Sequence, residues 1–393
     1  MAGPIQGLKI LDFTTLLPGP YATMTLADMG AEVLRIVSGA RPDMMSFFPP
    51  FIPETDLSAA FAHLGRGKRC MTLNLKDHRA VQIIHRLIAD YDIVIEQFRP
   101  GVMVKLHLDY DRLKAVNPSL IYCSITGYGQ TGPLRNRAGH DINFLARSGI
   151  MSYSGKKEKG PSLMGTQIAD IAAGSHNAVM GILAAVICRN KTGKGQHIDI
   201  SMTDGMIAFN AIYGAGFLAD GEEPSRGNAL LNGGSLYDFY ETKDGQYLSV
   251  GSVEAPFFSA FCEIIGCPDL IPGGMAPPDV QPIKERIREI VKTRTRDEWT
   301  ELFRKVDACV EPVLSLSETL DDDHARERNL IVDVALPDGR SVKQIACPIK
   351  FSETPAEYGN AGVPAGHHTR EVLLQAGYTE EDIDDFEKTG LFR

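Results

Sequence analysis

Short strand-like runs alternate with helix-like runs through the first half of the chain, and that rhythm constrains the fold more than any other feature. Strands are expected at residues 8–13, 32–36, 71–75, 92–96 and 120–125. Between them, helices are expected at 20–29, closed by Gly30, at 77–88, capped by Asp77, and briefly from Asp111. Residues 141–190 look helical, with a loop near 156–160, and 197–201 is a further strand. A β-α-β alternation of this kind builds a mostly parallel sheet covered by helices. Ligands on such sheets sit at the carboxyl ends of the strands. The pattern changes after Gly221, where a Gly-, Asn- and Glu-rich stretch leads to a hairpin of 236–240 and 246–250 around Lys243-Asp244-Gly245. Helices at 255–265, 283–292 and 297–305 complete a smaller α+β unit, and a tail from about 330 carries two short strands and a last helix at 379–389. The expected division is therefore 1–220, 221–329 and 330–393, an α/β fold of two domains, which suits a chain of 393 residues.

Several function classes lose support at this level. The formal net charge of −10 repels polyanions, so nucleic acid is not an expected partner. The seven cysteines are scattered without a CxxC pair, as expected of reduced thiols rather than a zinc site or a disulfide framework. The N-terminus lacks the basic and apolar regions of a secretion signal, and the longest apolar run, 178–188, falls short of a membrane span. A cytoplasmic protein with no membrane association is expected. No G-x-G-x-x-G follows the first strand, and no Walker A, H-E-x-x-H or G-x-S-x-G occurs, so dinucleotide, P-loop, metal and serine-hydrolase chemistry have no motif behind them.

What remains is a set of charged residues near expected strand ends. Arg35, Arg66, Lys68, Arg69, Arg99, Lys105, Arg135 and Arg137 flank strands two to five. They form either a phosphate site or a solvated basic rim. Gly139-His140-Asp141-Ile142-Asn143 follows the glycine-rich turn Thr126-Gly127-Tyr128-Gly129-Gln130-Thr131-Gly132-Pro133, with a helix expected to start near Asp141. Free N–H groups there can receive a developing oxyanion, while a lone histidine such as His140 at a helix start is more often a structural residue. Asp170 stands among apolar and small residues in Ile168-Ala169-Asp170-Ile171-Ala172-Ala173-Gly174, and Glu254 precedes a helix; each is either a cap or a reactive carboxylate.

Taken together, these segments resemble the superfamily of family III CoA-transferases and α-methylacyl-CoA racemases. The markers are Leu8-Lys9-Ile10-Leu11-Asp12 with Pro18-Gly19-Pro20, Leu26-Ala27-Asp28-Met29-Gly30-Ala31-Glu32-Val33, Gly67-Lys68-Arg69, Phe98-Arg99-Pro100-Gly101, the glycine-rich turn, Gly193-Lys194-Gly195-Gln196 and Asp307-Ala308-Cys309-Val310-Glu311-Pro312-Val313. The resemblance implies a Rossmann-like large domain made from the N-terminal half and the returning tail, a small middle domain, and an interlocked homodimer. It also implies an acyl-CoA substrate, with coenzyme A as part of that substrate rather than a separate cofactor, and no metal. Arg35, Arg66, Lys68, Arg99, Lys105 and Arg137 then become candidates for CoA contacts.

Two chemistries share the aspartate in that superfamily. Transferases use it as a nucleophile, and racemases pair it with a histidine as acid and base. The Gly-His-Asp-Ile-Asn segment, Asp170, and Glu254 within Gly251-Ser252-Val253-Glu254-Ala255-Pro256-Phe257-Phe258 resemble the racemase branch. That branch implies His140 and Asp170 as the acid/base pair, the Asp141 backbone N–H as oxyanion donor, and Glu254, from the other subunit, as the partner that orients His140. A run of glycines common in racemases is replaced here by Ala172-Ala173-Gly174. Ile150, Met151, Tyr153, Met206, Tyr213 and Phe217 are expected to make a large apolar acyl pocket that fits branched, steroidal or aromatic chains without choosing among them.

Overall fold

The structure is a computed structural model that describes residues 3–393. The chain folds into two units, one of Met1–Arg147, Gly165–Ala208 and His324–Arg393 and the other of Ser148–Met164 and Phe209–Asp323. The first boundary thus falls at 208 rather than 220, the tail begins at 324, and 148–164 joins the second unit. Side chains explain that last assignment. Tyr153 Oη donates to Asn210 Oδ1 at 2.7 Å, and Arg226 donates to the carbonyls of Met151 (2.6 Å) and Ser154 (2.9 Å).

In the first unit, six parallel strands form one sheet: β1 (Lys9–Asp12), β2 (Glu32–Val37), β3 (Lys68–Thr72), β4 (Ile93–Glu96), β5 (Ile121–Thr126) and β6 (His197–Ser201). Their order is β3-β2-β1-β4-β5-β6, a doubly wound Rossmann order. Alternate residues supply the two faces, as the pleat requires. Leu11, Leu34, Met71, Val94 and Tyr122 pack into one buried cluster, and Ile10, Val33, Ile93, Ile121 and Cys123 into the other. The helix His78–Ile88 covers the first face, with Asp77 accepting from Arg79 N at 2.9 Å as its cap. The third strand begins earlier than the apolar run at 71–75 suggests, because Lys68 pairs in register with Val33. Lys68 therefore belongs to the amino end of the sheet. The tail adds an antiparallel pair, β10 (Ile331–Ala335) with β11 (Ser341–Ile345), to this unit.

A continuous helix runs over Ala169–Thr192 for 24 residues, wound as a π-helix over Ala169–His176 and as an α-helix over Asn177–Thr192. It is considerably longer than the apolar run at 178–188, and by length and composition it could cross a membrane. Its Ala178, Val179, Ile182 and Ala185 are buried in the sheet's second cluster, whereas Met180 and Ile187 are each 59% exposed. Close packing dictates the small residues near its start. A Cβ on Gly174 would approach Pro18 Cβ and Met202 Cγ to 3.1 Å each.

The second unit is built on a three-stranded antiparallel sheet of β7 (Asp238–Glu241), β8 (Tyr247–Val250) and β9 (Val310–Pro312). Its core gathers Phe258, Phe261, Trp299 and Phe303, with Trp299 Nε1 donating to Val291 O at 2.8 Å. The hairpin follows the sequence pattern. β9 does not, since a three-residue strand has too little periodicity to stand out.

Candidate active site

Strand order reverses between β1 and β4, the position at which doubly wound sheets hold their ligands. A few residues stitch the chain together there. Gln97, immediately after β4, accepts from Gly19 N at 3.1 Å and donates from Nε2 to Thr15 O at 2.7 Å. Gly19 is required there: a Cβ would lie 2.2 Å from Thr14 Cβ. From the other side, Ser175 Oγ donates to Pro18 O at 2.6 Å and ties the helix carrying Asp170 to the same turn.

His140 lies just before the helix Asp141–Arg147. Its carbonyl accepts from Asn143 N (2.8 Å) and Phe144 N (3.3 Å), and its own amide donates to Asn143 Oδ1 at 3.0 Å. These bonds are made by the backbone, and the residue is exposed. Asp141 Oδ1 accepts from Ala169 N at 2.7 Å and from Asp170 N at 3.1 Å. The structure thus brings the His140 segment and Asp170 together, through the residue that follows the histidine. Asp170 is half-buried, and its pKa is raised to about 6, first by loss of solvation and second by the charge of Asp141. Glu254 belongs to the second unit, at the start of the helix Ala255–Ile264. Its side chain makes no cap bond and is exposed, so the cap role open to it in the sequence is taken by its backbone alone.

The basic residues separate into two groups. Arg66 is fully buried, with Nε and Nη2 on Asp28 at 2.9 and 2.6 Å and Nη1 on Gln344 Oε1 and Ile345 O at 2.9 Å each. Lys68 Nζ is enclosed by Thr23 Oγ1 (2.6 Å), Pro20 O (2.8 Å) and Asp12 Oδ2 (3.5 Å), and burial lowers its pKa to about 8. Arg35 pairs with Asp43 in the interior and stacks 5.1 Å from the Phe61 ring centroid. Each of these three is paired with a carboxylate of the same chain, so they do not form a solvated rim. Arg99, Lys105 and Arg137 are exposed. In the chain they come after β4 (Arg99 and Lys105) and after β5 (Arg137). A separate cleft of about 310 Å³ beside β3, lined by Gly67, Arg69, Asn360, His367 and His368 among others, contains none of His140, Asp141 or Asp170.

Three contributors were not visible in the sequence: Gln97, the Asp141 side chain, and Glu96. Glu96 is buried at the end of β4 and accepts from Phe98 N at 2.8 Å. Burial raises its pKa to about 7, against a hydrogen bond from Ser124 that lowers it. A polar residue closing an apolar strand is the signal that could have flagged Glu96 and Gln97.

Comparison with known proteins fits this arrangement. A family model described as CoA-transferase family III matches residues 5–369. The chain belongs to CoA-transferase family III. It is 34% identical to human α-methylacyl-CoA racemase over 383 residues, covering 96% of this chain and 95% of that one. It is also 34% identical to a succinate–glutarate CoA-transferase of Agrobacterium fabrum over 387 residues, with 95% of each covered. Among solved structures, a CAIB/BAIF family protein from Brucella suis superposes with a TM-score of 0.84 at 29% identity, covering 96% of this chain and all of that one. The family III chain is therefore an enzyme, of a family that holds both racemases and CoA-transferases.

Proposed function

We propose that this chain is an acyl-CoA racemase or epimerase that inverts the α-carbon of a 2-methyl-branched acyl-CoA. The observation that carries the proposal is the bond from the amide of Asp170 to the Asp141 carboxylate, which fastens the Asp170 backbone to the segment bearing His140. Removing a thioester α-proton needs a base, and the electron pair left on carbon moves onto the thioester oxygen as an enolate. The second group then delivers a proton to the opposite face, so the substrate is inverted and no atom is lost. His140 and Asp170 are the two groups. The Asp141 N–H is the donor to the enolate oxygen, and Glu254 of a second copy orients the His140 ring. An Asp170 pKa of about 6 serves both directions, since roughly a tenth of the carboxyl is protonated at pH 7 while the rest can act as base. Arg99, Lys105 and Arg137 are the cations offered to the CoA phosphates. The reaction requires no metal or cofactor beyond the thioester itself.

A homodimer belongs to this proposal. The exposed Met180 and Ile187 on the long helix are the surface a second copy would cover. Light scattering should then give the mass of two chains, and a monomer would remove Glu254 from the proposed site.

The test is α-carbon deuterium exchange from heavy water into a 2-methylacyl-CoA, with His140→Ala and Asp170→Ala as controls. Exchange at least 100-fold faster in wild type than in either variant is expected. Exchange no faster than His140→Ala sinks the proposal. The 34% identity to a CoA-transferase favours a second mechanism. There Asp170 attacks the thioester carbonyl and CoA thiolate leaves, giving an acyl-aspartate anhydride; the thiolate then attacks the Asp170 carbonyl, expelling the first carboxylate and leaving an Asp170–CoA thioester from which an acceptor acid takes the CoA. Hydroxylamine would trap that intermediate as a hydroxamate at Asp170, and a free carboxylic acid would accept CoA.

A further inference from the structure

Asp141 is placed to do more than offer its backbone amide. We infer that Asp141 is a positioning residue for Asp170: its carboxylate fixes the Asp170 backbone and biases the Asp170 side chain electrostatically. The inference rests on the catalytic role proposed above for Asp170 and deepens it.

Geometry comes first. One oxygen, Asp141 Oδ1, accepts both Ala169 N at 2.7 Å and Asp170 N at 3.1 Å. Two amides of one turn sharing a charged acceptor make a strong, directional clamp. The backbone of Asp141 continues directly from His140, whose amide and carbonyl are tied to Asn143. A single residue therefore sets the spacing between the two proposed acid/base groups. The turn it clamps is also the π-helical stretch Ala169–His176, and local π geometry of this kind re-aims side chains.

Charge comes second. The elements packed against this turn are Asp141–Arg147, Pro18–Asp28, Asn177–Thr192, Met202–Ala208 and β6. Besides Asp141, they carry Arg147, Tyr21, Asp28, Cys188, Arg189, Lys191, His197, Asp199 and Asp204, and the turn itself carries His176. The charge that acts on Asp170 is that of Asp141, added to burial. Burial raises the Asp170 pKa and the charge of Asp141 adds to that rise, so Asp141 helps keep a proton on Asp170 to higher pH than an ordinary aspartate would. The same oxygen that positions the group thus tunes it. The consequence is regulatory: the pH range over which the site can donate as well as accept a proton is set by burial and moved further by Asp141.

Asp141→Asn separates the two effects, because it keeps an acceptor oxygen and removes the charge. Asp141→Ala removes both. The direct readout is the carboxyl-carbon NMR titration of Asp170 in protein labelled with 13C at aspartate, assigned by comparison with Asp170→Asn. Wild type should titrate near 6. In Asp141→Asn the midpoint should move about two- to tenfold in proton concentration toward the ordinary aspartate value of 3.8, the remainder of the shift being due to burial. The acidic limb of the exchange pH profile should move with it, while kcat at its new optimum falls less than fivefold. Asp141→Ala should lose kcat by 10- to 100-fold with KM changed less than threefold. A wild-type midpoint near 3.8 overturns the inference without any variant, which covers the case of variants that do not fold. An unmoved midpoint in folded Asp141→Asn overturns it as well. If the midpoint moves but wild type exchanges no α-proton, Asp141 tunes Asp170 and the racemase proposal fails. If wild type exchanges and the midpoint is fixed, the racemase proposal stands and this inference fails.

Discussion

The two halves of the parallel sheet treat buried charge in opposite ways. In the half formed by β1, β2 and β3, each of three buried acids has its own cation: Asp28 with Arg66, Asp12 with Lys68 and Asp43 with Arg35. In the half formed by β4, β5 and β6, Glu96 is buried with Phe98 N and Ser124 as its hydrogen-bond partners among the described residues, and the charge that acts on Asp170 is a second carboxylate, Asp141, rather than a cation. Burial alone penalises an ionised acid, and a cation offsets that penalty. The first half therefore spends its charges on holding itself together. The second half leaves protons mobile near neutral pH and leaves Arg99, Lys105 and Arg137 exposed. Basic residues that look alike in sequence serve different purposes according to which half receives them.

Removing Arg66 is the strongest way to break this contrast. Arg66→Ala would strand Asp28, whose pKa burial raises and Arg66 holds down, in the interior. A loss of about 3–5 kcal/mol in unfolding free energy is expected. The combined change Arg66→Met with Asp28→Leu should recover most of it, because two well-packed apolar side chains need no counter-charge. Urea denaturation measures both. If Arg66→Ala folds as stably as wild type and instead loses acyl-CoA binding, the cation belongs to the ligand and the contrast between the halves collapses.

The alternation of strand and helix was legible because a parallel sheet buries both faces, and its strands are apolar runs bounded by helix caps such as Asp77. His140 and Asp170 were legible as a pair only through family resemblance. Nothing in their spacing says that Asp141 will reach across to the Asp170 amide, since that bond depends on how two helix starts meet in space. The fates of Arg66 and Lys68 were also hidden. Each is adjacent to β3 in sequence, yet their partners Asp28 and Asp12 lie far away along the chain. A one-dimensional reading can place a cation beside a strand, but whether an acid waits inside is decided by tertiary packing. The early start of β3 has the same cause: a lysine is tolerated in a buried strand because partners distant in sequence enclose its charge.

Glu96 offers a sharper and somewhat smaller test. Its folded pKa of about 7 lies above the ordinary glutamate value of 4.5. The folded state therefore favours the protonated form, so this contribution to stability is fully present below about pH 4.5 and is lost as pH rises through about 7. Glu96→Gln keeps the shape and never ionises. Compared at pH 5.5 and 8.5, the variant should lose less stability than wild type, by about 1–3 kcal/mol, with the difference appearing between those two pH values. Parallel loss in both proteins would mean that Glu96 has a counter-charge after all, and the two halves would no longer differ in this respect.

The smallest effects belong to the exposed cations. Arg99→Ala, Lys105→Ala and Arg137→Ala remove charges with no ion pair among the described residues, so each should leave the melting temperature within about 1–2 °C of wild type. An exposed cation facing a phosphate contributes on the order of 1 kcal/mol at most, so each variant should bind CoA about two- to fivefold more weakly. The loss should shrink as salt is raised, since the Debye length falls from about 10 Å at 0.1 M to about 3 Å at 1 M. Calorimetric titration with CoA, and separately with an acyl-pantetheine that lacks the nucleotide, separates phosphate contact from general damage. Variants that lose CoA but keep the pantetheine thioester place the nucleotide at the β4–β5 side of the sheet. Equal loss of both ligands would show that these cations act on the fold rather than on phosphate, and the division between charges spent inside and charges kept for a ligand would then need to be redrawn.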